Sequence, residues 1–202
     1  MTDERLPLSF YQSFDTTTLA KKLLGCELVH NSPDGISSGI IVETEAYLQD
    51  DPACHAYNRR TPRTEPMYGE PGTAYVYLIY GMYECINVVS NRAGIGEAVL
   101  IRALQPLKGA ELMAARRALF QKKSPSKPIP LKYLCNGPGK LVVAMGISRY
   151  LHNTESLCSD NLYISSPVIT NPGIETSARI GITKGVDLPY RYFIKDNIYV
   201  SK

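Results

Sequence analysis

The chain has 202 residues, 44% of them hydrophobic, with 22 Lys+Arg against 19 Asp+Glu, which fits one compact domain with a real core. Its opening, MTDERLPLSF, carries acids and no apolar leader, and no later stretch reaches the ~20 apolar residues of a membrane span, so the chain reads as soluble, intracellular and without a membrane partner. Five Cys and three His are scattered with no C-x-x-C, H-x-x-x-H or H-E-x-x-H, so neither a disulfide framework nor a metal site is indicated, and no metal or cofactor is expected.

In chain order, residues 1–14 read as an N-terminal arm. DTTTLAKKLLG then has Asp15 as N-cap, Gly25 just past the end and Leu19, Leu23 and Leu24 on one face, a short amphipathic helix. CELVH, a turn at SPDG and SGIIVETEAY form a hairpin. Leu48 to Pro71 is rich in Pro, Arg, Asp and Asn with no clean period, a long ordered connection of the kind that tends to be functional. Residues 73–80 and 83–90 alternate as strands around Gly81-Met82, and EAVLIRAL adds another that Pro106 should end. GAELMAARRALFQKK is a helix, SPSKPIP a Pro-rich connector, NGPGKLVVAMGI a second helix opened by Gly-Pro-Gly, and NLYIS and RYFIKD late strands. These elements give one α+β domain over 1–202, built on a largely antiparallel curved sheet with a protruding β-hairpin and surrounding helices.

Period-two alternation in IIVETEAYL puts Glu43, Glu45 and Tyr47 on one side of their strand. Acids on so apolar a strand are either edge residues paired with basic side chains or one wall of an active site, and the CHAY that follows favours the wall. In TAYVYLIYGMYECINVV, Tyr75 and Tyr77 share a face, whereas Tyr80 stands at the turn with Met82, where parity leaves its direction open. Tyrosines suit sheet packing, the role assigned to Tyr75 and Tyr83. An aromatic on a projecting tip is also a wedge that unstacks base pairs. A two-residue turn at Gly81-Met82 would pair Val76 with Asn87, whereas a three-residue turn ending at Tyr83 would pair Tyr77 with Asn87.

Charge is unevenly spread. Eight Lys/Arg against the single acid Glu111 fall between Lys108 and Lys140, and Arg59, Arg60 and Arg63 cluster in NRRTPR. Such runs are either solvated helix faces or the footprint of a phosphate-binding surface.

Four blocks, GIIVETEAYLQDDPACHAYNRRTPR, PGTAYVYLIYGMYECINVVS, VLIRALQPLKG and LCNGPGKL, together resemble the ordered signatures of the alkyladenine (3-methyladenine) DNA glycosylases, over nearly the whole chain. The resemblance implies a monomeric base-excision repair enzyme acting on double-stranded DNA that holds a damaged purine. Such an enzyme flips the alkylated or deaminated base out and hydrolyses its N-glycosidic bond, leaving an abasic site. It makes Glu45 the base for the attacking water and Arg102 a residue positioning that water. Tyr47, His55, Tyr77 and Asn87 then resemble the base pocket, Tyr80 and Met82 the intercalating tip, and Lys140, Arg59, Arg60 and Thr61 phosphate contacts. A shared pocket for Tyr77 and Asn87 implies that they pair across an odd-numbered turn or a bulge. The GPGK run lacks Walker spacing, so a triphosphate loop is not supported. Glu43 stays available as a second acid, which a sugar hydrolase would need. The competing class is a nucleic-acid-binding module without catalysis, which would stack bases on the same tyrosines but has no need of Glu45.

Overall fold

The computed structural model describes residues 4–121 and 128–201; Lys122, Lys123 and Lys127 of the basic stretch, and the first half of the Pro-rich connector, lie outside the described residues. Helices α1 (Leu8–Gln12) and α2 (Thr16–Lys22) are followed by β1 (Cys26–Ser32) and β2 (Gly35–Tyr47). Next come β3 (Ala74–Ile79), β4 (Tyr83–Val89), β5 (Ala98–Lys108), α3 (Ala110–Phe120), α4 (Pro138–Met145) and α5 (Arg149–His152). The chain closes with β6 (Leu162–Pro167), β7 (Ile174–Ser177) and β8 (Arg191–Ile194). The Asp15 carboxylate caps α2 by accepting from the Thr18 N–H at 2.9 Å, as a short side chain with an acceptor does at this position. The segment expected as an arm carries α1 and buries Leu6 and Tyr11 in the core.

The strands form an eight-stranded sheet in the order β3-β4-β5-β2-β1-β6, with β8 added to β2 and β7 to β8. Every pairing is antiparallel, and the fold is the expected single α+β domain. The long strand β2 has two halves with different neighbours. Its first half lies between β5 and β1, which pairs only as far as Ile40; beyond that, β8 takes the vacated edge and pairs with Glu43, Thr44 and Glu45. Residues 37–46 are therefore buried throughout, which explains how an acid-bearing strand comes to sit in the middle of a sheet.

Two features of β5 depart from the sequence reading. Pro106 does not end the strand, which runs on to Lys108. Proline lacks only the N–H, and here the ladder shifts register between Ser38 and Gly39, beside Pro106, an irregularity of the kind that accommodates proline within a sheet. Further along, Ile41 faces Leu104, Glu43 faces Ala103 and Thr44 faces Ile101. The ladder thus skips Val42 on one strand and Arg102 on the other, a pair of compensating bulges of the kind that re-aim a side chain.

The β3-β4 hairpin has the expected odd-numbered loop, Tyr80–Met82, but with a different partner set: Tyr77 pairs with Cys85 and Asn87 with Tyr75. The offset is by two residues, so parity survives and Tyr75, Tyr77, Cys85 and Asn87 still share one face.

Candidate active site

Two carboxylates organise the site. Glu45 is fully buried, at 0% exposure, and three donors converge on it. The Tyr47 hydroxyl donates to Oε2 at 2.8 Å, the Ile180 backbone N–H donates to Oε1 at 2.9 Å, and Arg102 Nη1 stands 3.3 Å from Oε1. A carboxylate offers about four acceptor sites, so this set leaves room for one further donor. Glu43, equally buried, accepts from Arg102 Nε at 3.1 Å and from Arg191 Nε at 2.6 Å. Its remaining partners are the Ser201 N–H at 2.7 Å and the Ser201 hydroxyl at 2.9 Å.

Over this cluster opens a cavity of about 670 Å³. Tyr47, His55, Tyr77, Asn87 and Arg102 all line it, with Tyr80 and Lys140 among its further lining residues. Glu45 itself lies behind the lining, beneath Tyr47, Arg102 and Ile180, which do contribute to it. Tyr75, assigned above to sheet packing, also belongs to the wall. Its ring stacks on that of Tyr77 with centroids 5.3 Å apart, and its hydroxyl meets His55 Nδ1 at 3.1 Å. Tyr83 lines the cavity too and packs on Phe120 at 5.4 Å. Aromatic rings grouped in this way form a slot suited to a flat, polarisable ligand.

The aromatic groups of the slot are neutral. Burial first, then the Arg63 charge, pushes His55 down to about 4, so that it is an uncharged imidazole at neutral pH. Burial raises Tyr75 to about 12 and raises Tyr47 and Tyr77 beyond that. These tyrosines stay as phenols and keep their hydroxyl protons to donate.

The hairpin tip projects. Tyr80 is 79% and Met82 59% exposed, and Tyr80 holds φ at +53° beside Gly81 at +70°. A bulky residue in the left-handed region is costly, and such strain concentrates where a backbone must present a side chain. Next to the hairpin, with Gly139 close against Tyr83, Gly137, Pro138, Gly139 and Lys140 open α4 and line the cavity, and Lys140 Nζ donates to Asn136 Oδ1 at 2.9 Å. Arg59, Arg60 and Thr61 fall elsewhere, along the separate depressions of the 48–71 connection. Arg60 there is forked onto Glu65 and lies over the Tyr68 ring, 4.6 Å from its centroid, while Thr61 closes a turn with Thr64.

Several contributors carry no sequence signal. The Ile180 N–H is backbone. Arg179 is buried against Asp51, with its guanidinium 4.7 Å from the Tyr47 ring centroid and donating to the Ala46 carbonyl oxygen at 3.0 Å. Asp51 and Arg179 are charged residues in loops that only their burial distinguishes, and Arg191, partly buried, opens the short strand β8. Among the described residues, no group of three or more His, Cys, Asp or Glu could hold a metal ion, and no helix is long and apolar enough to cross a membrane.

Residues 9–198 match the family model described as methylpurine-DNA glycosylase. A protein of Methanoculleus marisnigri named "Putative 3-methyladenine DNA glycosylase" is 47% identical over 98% of each chain. Proteins of the same name are 47% identical in Francisella tularensis, over 93% of this chain and 94% of the relative, and 43% identical in Carboxydothermus hydrogenoformans, over 98% of each.

Proposed function

The chain belongs to the methylpurine-DNA glycosylase family, and from that premise we propose that the cavity over Glu45 receives a damaged purine flipped out of duplex DNA for hydrolysis of its N-glycosidic bond. Family membership makes the protein a DNA glycosylase for alkylated bases, an enzyme of base-excision repair, and sets aside the non-catalytic binding module. The finer reading concerns which residues do the work. The observation that carries it is a buried carboxylate, ion-paired to Arg102, directly behind a cavity walled by stacked and edge-on aromatic rings.

Cleavage passes through an oxocarbenium-like sugar, so a nearby carboxylate acts twice: it accepts a proton from the attacking water and opposes the developing positive charge. Glu45 has the remaining acceptor site for that water, and Arg102, which reaches both Glu45 and the cavity, positions it there. Apo geometries of this kind commonly tighten only once substrate is bound. Tyr47, Tyr77 and His55 hold the base. A purine alkylated at N3 or N7 is cationic, which makes it both a good leaving group and a partner for tyrosine faces. The phenol hydroxyls and the neutral His55 add hydrogen bonds without adding positive charge.

Extrusion of a base costs a few kcal/mol and least for damaged or mispaired ones. Tyr80, with Met82 beside it, fills the gap that extrusion leaves. Lys140 at the start of α4 contacts a phosphate, where the helix N-terminus favours an anion. Arg59, Arg60 and Thr61 are proposed as outer phosphate contacts, with Arg60 exchanging its Glu65 partner for DNA. The protein works as a monomer on double-stranded DNA.

Incubation with a duplex carrying a single alkylated purine tests this reading. Release of free base together with an alkali-labile abasic site is the expected result. Strand cleavage without base release would overturn it.

A further inference from the structure

Arg102 is divided between two carboxylates: Nε donates to Glu43 at 3.1 Å, and Nη1 stands 3.3 Å from Glu45. Glu43 in turn is held from outside. Arg191 Nε and both donors of Ser201 close on it, while Arg191 Nη1 donates to the Ser177 hydroxyl at 3.0 Å and Nη2 to the Ser201 carbonyl oxygen at 3.1 Å. Four charges of alternating sign, Glu45, Arg102, Glu43 and Arg191, are thus buried or nearly so in one row. Charges removed from water remain tolerable only when each is matched and hydrogen-bonded, and this row satisfies both conditions.

We infer that Glu43 is a positioning residue, which holds the Arg102 guanidinium in the setting that reaches Glu45, with Arg191 balancing its charge and Ser201 fixing its orientation. This rests on Glu45 as the proton acceptor proposed above. Glu43 is not a second acid: Arg102, Arg191 and the two donors of Ser201 fill its roughly four acceptor sites, whereas Glu45 has three donors and lies directly beneath cavity-lining Tyr47 and Arg102. The compensating bulges at Val42 and Arg102 are the backbone device that lets one arginine face two acids on the same strand.

The groups around Glu45 are Arg102 from β5, Arg191 from β8, Arg179 from the segment after β7, Cys85 from β4, and Glu43 and Tyr47 from its own strand. Removing one charge from the row therefore has a predictable sign. Glu43→Gln leaves Glu45 facing an excess of positive charge, which favours its ionised form. Arg191→Met leaves Glu43 to draw Arg102 away, which disfavours it.

The test is the pH profile of single-turnover base release from an alkylated duplex, measured on wild type, Glu43→Gln, Arg191→Met and Arg191→Lys, with Glu45→Gln as reference. The acid limb should move by about one pH unit to lower pH in Glu43→Gln and to higher pH in Arg191→Met. In Arg191→Lys it should stay at the wild-type position, because the charge is kept although the fork is lost. Limbs that do not move, or that move in the same direction in both charge-removing variants, overturn the inference. The two Arg191 variants decide the matter if Glu43→Gln does not fold. Retained release in Glu45→Gln overturns the proton-acceptor reading as well, whereas collapse there with unmoved limbs overturns the positioning role alone.

Discussion

Asn87 Nδ2 donates to the carbonyl oxygen of its cross-strand partner Tyr75 at 3.1 Å, which fixes a short amide in the wall of the cavity next to the stacked Tyr75 and Tyr77 rings. Asn87→Ser removes that bond and shortens the side chain. We expect a stability loss of about 1 kcal/mol and a wider slot that admits undamaged guanine. Release of normal guanine should therefore rise relative to release of alkylated adenine, measured as a ratio on matched duplexes. An unchanged ratio with lowered stability would mean that Asn87 serves the hairpin and not selection.

Glu45→Gln keeps the size of the side chain and removes its basicity and charge. The Tyr47 hydroxyl can turn to accept from the new amide, so folding should survive. Base release should fall by about 10²–10⁴-fold from the general-base contribution, with a further fall from the lost anion. Binding to a duplex with an uncleaved lesion, read by fluorescence anisotropy, should be retained or tightened. Release at the wild-type rate would remove Glu45 from the chemistry.

Tyr80 pairs an exposed ring with a left-handed backbone. Asparagine tolerates that conformation better than tyrosine, so Tyr80→Asn should leave the denaturation midpoint unchanged or slightly raised while the wedge is lost. Excision from a fully paired site should drop, and the defect should shrink when the lesion is already mispaired. Equal losses on both duplexes would argue against a wedge.

Stability should depend on pH in a defined window. His55 is pushed down to about 4 by burial and the Arg63 charge, and burial lowers His30. His30 Nδ1 lies 2.7 Å from the Met145 carbonyl oxygen and its Nε2 lies 3.2 Å from His152 Nε2, while His152 Nδ1 accepts from the Ser148 N–H at 3.0 Å. The Met145 carbonyl oxygen accepts the Nδ1 proton of His30, so a second proton on that ring would sit on Nε2, facing His152. The unfolded chain takes up protons near the ordinary 6.5, whereas the folded chain does so only at lower pH. Stability is therefore complete above about pH 6.5 and is lost as the pH falls toward 4. Urea denaturation at pH 5 should show about 1–2 kcal/mol less stability from His55 than at pH 7.5. In His55→Gln the difference should shrink; a difference of unchanged size would place the titration on other groups.

Much of this was legible locally, because strand parity and helix capping are set by backbone geometry within a few residues. Alternation placed Glu43, Glu45 and Tyr47 on one face and Tyr77 with Asn87 on another, and Asp15 marked the start of α2. The ordered blocks carried the family resemblance. What the tertiary structure alone decided depends on pieces of chain that meet across long separations. The replacement of β1 by β8 along β2 buries the two acids. The bulge at Arg102 aims one arginine at both of them, and the arrival of Ile180 and Ser201 brings each a backbone N–H donor. Even the Tyr75–Asn87 pairing turned on a two-residue choice of register that parity cannot distinguish. A buried charge is stable only where its partners converge, and which partners converge is fixed by packing and register and not by any single stretch of sequence.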